Sequence, residues 1–70
     1  MNKKTKLIHI IDENIQELEV ILLEKTSVLL KILLRKYYSL LKEIEKKSDN
    51  DYSDILNKIS LYEEEMKEFK

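Results

Sequence analysis

The chain has 70 residues, is 43% hydrophobic and 39% charged, and contains no glycine, proline, cysteine or tryptophan. An average sequence of this length carries about eight Gly and Pro residues. Their absence argues against the hairpins, phosphate loops and nucleophile elbows that need positive or fixed φ. The missing cysteines exclude disulfides, thiolate metal sites and cysteine nucleophiles. A formal net charge of −1 sets up no global field for nucleic acid or a membrane surface. An amphipathic, all-α single domain over 1–70 is what such a balance suits.

The chain opens on a basic stretch followed by the apolar run Leu7–Ile11, as a secretory signal would. Asp12 and Glu13 cut that run short and no small-residue cleavage site follows, so it does not read as a signal peptide. From Val20 to Leu41 apolar residues dominate, but Glu24, Lys25, Lys31, Arg35 and Lys36 interrupt them, which argues against a membrane-spanning helix. A cytoplasmic protein with no membrane association is the expectation.

Between about residues 5 and 47 there is no helix breaker. Ile8, Ile11, Ile15, Leu18 and Leu22 recur at spacings of 3, 4, 3 and 4, and Leu30, Leu34, Tyr37, Leu41 and Ile44 at 4, 3, 4 and 3. These are two helical stripes. Eight residues separate Leu22 from Leu30, which puts them out of heptad phase. Two architectures are compatible with that slip. One is a continuous helix over about 5–47 that unwinds locally near Thr26, paired as a hairpin with a shorter helix over about 52–69. The other is an antiparallel three-helix bundle with a turn at 24–27, where Ser27 would cap the middle helix. Turns usually include a breaker and residues 24–27 hold none, so the hairpin is the expected fold. A first helix of that length, about 64 Å, outruns its partner and leaves the Ile8–Leu22 stripe open. The hairpin is therefore expected to be oligomeric.

The middle segment has apolar residues on two sides. Leu22, Leu29, Leu30, Leu33, Leu34, Tyr37, Leu40 and Leu41 make a broad face, and Ile21, Val28 and Ile32 a second patch about 120° away. A helix of that kind touches more than one neighbour. Turn chemistry is concentrated at Ser48–Asp54, where Asp51 or Ser53 can cap the next helix. After it, Tyr52, Ile55, Ile59, Tyr62, Met66 and Phe69 recur at 3, 4, 3, 4 and 3, a narrow seam on the last helix. Residues 24–47 sum to +4 and residues 48–70 to −4, so these two segments are expected to lie side by side and neutralise one another.

Chemical signals are sparse. His9 has Asp12 and Glu13 at helical spacing, but no second His or Cys exists to complete a metal site, so it reads as a surface histidine. The run from Asp49 to Asp54 starts like a calcium loop. It then places Asp54 where Gly belongs and Ser60 where the closing Glu belongs, which leaves a capping loop. The five serines share one histidine, so no nucleophile–base pair suggests itself. All-helical chorismate mutases are similar in general look, but they need several cationic contacts to a dianionic substrate and this chain has one arginine, Arg35. The same shortage argues against nucleic-acid readout by the lysines of the middle segment. No enzyme activity, cofactor, metal or small-molecule substrate is expected.

In size and helical outline the chain looks like the small helical chaperones of flagellar and type III export systems, a likeness of outline carried by no motif. The function expected is a non-enzymatic protein-interaction module, chaperone- or adaptor-like. Ile8, Ile11, Ile15, Leu18 and Leu22 would bind an amphipathic helix from a protein partner or from a second copy. The alternatives are a small regulatory or inhibitory protein that occupies an enzyme surface, and a self-contained three-helix bundle.

Overall fold

A computed structural model describes residues 2–48 and 51–69. Three helices form: α1 over Lys3–Glu24, α2 over Val28–Lys46 and α3 over Ser53–Lys67. Contacts at both ends fix their directions. Lys4 Nζ at the start of α1 donates to the Glu45 carbonyl near the end of α2 (3.4 Å), and Lys25 Nζ after α1 donates to the Phe69 carbonyl beyond α3 (3.5 Å). Thus α1 and α3 run parallel with α2 antiparallel to both, in a body of 38 × 18 × 17 Å.

The expected continuous helix over 5–47 is therefore corrected: the three-helix alternative is the fold, and the molecule is far shorter than the 64 Å helix would require. α1 stops at Glu24 and α2 restarts at Val28, with the Ser27 side chain accepting from Leu30 N (3.4 Å). The lack of glycine was misleading for a definite reason. Glycine is needed where φ is positive, and this connection runs through extended backbone, with Lys25 at φ −129°, ψ 117° and Ser27 at φ −140°, ψ 131°. No described residue has a positive φ. The phase slip between the two stripes is the sequence trace of this break, since each helix starts its own register.

At the amino end, Asn2 caps α1 by accepting from Thr5 N (2.8 Å). Before α3, Asp51 Oδ1 accepts from Ser53 N (3.1 Å) and from Ser53 Oγ (2.8 Å), so Asp51 supplies the local capping while Ser53 is already helical. The other expected loop residues, Asp49 and Asn50, lie outside the described residues.

The core is one cluster drawn from all three helices. It takes Leu7, Ile11, Ile15 and Leu18 from α1, Leu30, Leu33, Tyr37, Leu40 and Ile44 from α2, and Ile55, Ile59 and Met66 from α3, with Tyr52 just ahead. The α2 seam is thus centred on Leu33 and Leu40; Leu34 and Leu41 are only half-buried. The seam expected on the last helix holds, with Tyr62 and Phe69 packed against the core at its edge. Inside the bundle Tyr37 meets Tyr62 edge-on, with ring centroids 5.4 Å apart at 77°.

Candidate functional site

The stripe expected to bind a partner lies mostly inside the protein. Ile11 and Leu18 are 0% exposed and Ile15 is buried, while Ile8 and Leu22 pack against the core from its margin. The open stripe existed only in the hairpin. Once residues 25–27 turn, α2 and α3 fold back along α1 and cover it, so the apolar face is intramolecular core.

The exposed apolar surface is elsewhere. Leu23 (87%) and Val28 (72%) flank the first connection, and Leu29 (65%) and Ile32 (43%) continue along α2. Val28 and Ile32 belong to the second patch seen in the sequence. Leu29 was expected on the broad inward face, but α2 is rotated so that Leu30 and Leu33 fill that direction and Leu29 stands outside. On α3, Leu61 is exposed opposite the buried seam, and no periodic signal marks it.

Ile32 and Leu29 edge a groove between α2 and α3. Leu33, Leu40, Tyr62 and Phe69 contribute apolar surface along its length. Two polar rungs cross it: Lys36 Nζ lies 3.4 Å from Glu65 Oε1, and Lys58 Nζ 3.2 Å from Glu43. Lys36 also sits 5.6 Å above the Tyr62 ring, a cation–π contact. The first rung follows the expected pairing of basic middle with acidic end; the second runs in the opposite sense, with the lysine on α3. Both pairs are partly solvated, where such bridges contribute at most about 1 kcal/mol. They set the register of α2 against α3 more than they stabilise it.

The remaining chemical candidates are accounted for locally. His9 Nε2 lies 3.0 Å from Glu13 Oε1, one turn along the same exposed helix face. No group of three or more His, Cys, Asp or Glu among the described residues converges as a metal site would, and none of the described helices is long and apolar enough to cross a membrane. Titration is markedly perturbed at Tyr37, whose phenol is pushed well above its ordinary value of 10.0, first by burial and then by the carboxylates of Glu63, Glu65 and Glu17. Its hydroxyl makes no hydrogen bond of good geometry; the nearby Asn14 amide, which donates to Glu63 Oε2 (3.1 Å), offsets a small part of the rise. Tyr37 faces the core and no open cleft, so this perturbation is a packing consequence.

No protein-family model matches the chain, and no curated protein or solved structure proves similar to it.

Proposed function

We propose that the chain is a non-enzymatic, cytoplasmic helical interaction module whose docking surface is the outward α2–α3 face. The observation that carries this reading is the run of exposed apolar residues Val28, Leu29 and Ile32 beside a groove, on a bundle whose own core is already closed. Apolar side chains scattered singly over a surface need no explanation, but grouped ones rimmed by charge suit association. The mechanism is helix packing against a helical pair: an added helix lies along the groove and completes a four-helix arrangement.

The competing reading is a self-contained bundle that docks nothing, which the closed core favours. Retention of proteins by the immobilised chain, wild type against Leu29→Glu, Ile32→Glu, separates them. Both side chains are exposed, so the variant is expected to keep its helical circular dichroism. The module reading expects a protein held by wild type and released by the variant. If the two retain the same set, the face binds nothing and the self-contained bundle stands.

A further inference from the structure

Charge along the α2–α3 face suggests what occupies it. On α2, Val28, Ile32, Arg35, Ser39, Lys42 and Lys46 follow one another at spacings of 4, 3, 4, 3 and 4, and all are exposed. This is a single helical stripe, apolar at its start and cationic for the rest. On α3 and its C-cap, Asp54, Asn57, Leu61, Glu64 and Glu68 follow at 3, 4, 3 and 4, again all exposed, making an acidic stripe around one leucine. Arg35, Lys42, Lys46, Asp54 and Glu68 make no ion pair with another described residue, and Glu64 meets only the solvated Lys67 one turn away. Adjacent helices thus present uncompensated charge of opposite sign on the same side of the bundle.

From this pattern we infer that the face receives a second copy of the chain, related by a two-fold axis parallel to the helices. The inference rests on the interaction-module reading and names its partner. Such an axis exchanges α2 for α3 while keeping every residue at its own height. The rungs Lys36–Glu65 and Glu43–Lys58 set those heights within one copy. Arg35 is level with the turn between Glu64 and Glu68, Ser39 with Leu61, and Lys46 with Asp54. Placed across the axis, Arg35 and Lys46 of α2 therefore meet acids of the other copy's α3, twice over, while Lys42 falls between Asn57 and Leu61, and the contact is isologous. Ile32, level with Phe69, is drawn into the same contact. An acidic helix from another protein would suit α2 but oppose α3, and a basic helix would do the reverse. A second copy supplies both complements at once.

The contact is small. The 15 residues of α3 span about 22 Å and two helices side by side about 20 Å, so each copy buries on the order of 450 Å², roughly 900 Å² in all. That lies at the weak, transient end of specific interfaces. The dimer is expected to be concentration-dependent and weakened by salt, since its selectivity is electrostatic.

Sedimentation equilibrium of the full chain tests this. The wild type should rise from monomer towards dimer with concentration at low salt, and less so at high salt. Arg35→Glu, Lys42→Glu makes both stripes acidic, and Glu64→Lys, Glu68→Lys makes both basic. Each variant alone should associate at least about tenfold more weakly than wild type, while an equimolar mixture should regain the dimer as a heterodimer. Circular dichroism and the melting curve report folding in each case. For a variant that fails to fold, Arg35→Gln, Lys42→Gln takes its place, with its weakened association and flatter salt dependence read against wild type. A wild type that stays monomeric at every concentration overturns the inference, as does a mixture that regains nothing. If that monomer still retains a foreign protein sensitive to Leu29→Glu, Ile32→Glu, the self-association inference alone has failed. If it retains none, the interaction module has failed with it.

Discussion

Tyr37→Phe is expected to stabilise the bundle, against the usual sign of a core substitution. The Tyr37 side chain is fully buried and its ring is held edge-on to Tyr62. Its hydroxyl makes no hydrogen bond of good geometry, and the neighbouring Asn14 amide donates to Glu63. Taking a hydroxyl out of water without replacing its hydrogen bond costs about 1–3 kcal/mol. Deleting the oxygen leaves a void smaller than a methyl group, which offsets part of the gain, so the net stabilisation is about 1 kcal/mol. For a domain of this size that raises Tm by about 4–8 °C. Thermal and urea unfolding followed by circular dichroism measure it. The same substitution changes the alkaline limb of stability. With the folded pKa raised above 10.0, Tyr37 is neutral in both states at lower pH; above 10.0 the unfolded chain releases the proton and the folded chain keeps it. Stability is therefore fully present below 10.0 and falls as pH rises beyond it, and Tyr37→Phe should reduce that fall. A variant destabilised by about 1 kcal/mol or more, with an unchanged alkaline slope, would show that the hydroxyl is bonded in solution and refute the reasoning.

Four further outcomes follow from the same structure. Leu18→Ala should cost about 2–5 kcal/mol, a large share of the roughly 4–10 kcal/mol available to a chain this short, and urea unfolding gives the difference; Ile11→Asp, Leu18→Asp should lose its helical circular dichroism, whereas a helical monomer would mean the stripe is open surface. Ser27→Ala should cost about 1 kcal/mol by removing the α2 cap, without lengthening the molecule in small-angle scattering; an elongated particle would mean that residues 25–27 join the helices when the cap is gone. At Asp51, hydrogen bonds from the Ser53 hydroxyl and amide hold the carboxyl below its ordinary value of 3.8, so its contribution is present above 3.8 and lost as pH falls through the depressed value. Asp51→Ala should accordingly flatten the acid limb of the stability profile, and an unchanged limb would show that the cap is not formed.

Much of the fold was legible because helical periodicity records which face is buried. The α3 seam from Tyr52 to Phe69 could be read directly, whereas the second patch of Ile21, Val28 and Ile32 divides, with Ile21 packed against the core and Val28 and Ile32 exposed. The α2 seam was displaced to Leu34 and Leu41 because leucines at 29, 30, 33, 34, 40 and 41 permit several overlapping stripes. Rotation about the helix axis chooses between them, and that rotation depends on the neighbours. The candidate face was hidden for a related reason. Its charges sit on two helices whose relative height is set by the Lys36–Glu65 and Lys58–Glu43 rungs, so neither stripe by itself discloses a complement.

The sequence alone determined an all-helical chain with amphipathic segments, because a composition without Gly or Pro and an apolar period near 3.6 leave few other solutions. It also held both signals at residues 24–27, the phase slip and a serine able to cap, together with the missing glycine that argued against them. Only the tertiary structure decided between them, because an extended connection needs no special residue and its stability comes from packing three faces together. That one bend turned the Ile8–Leu22 stripe into core and left Val28, Leu29 and Ile32 exposed on the outward side of α2.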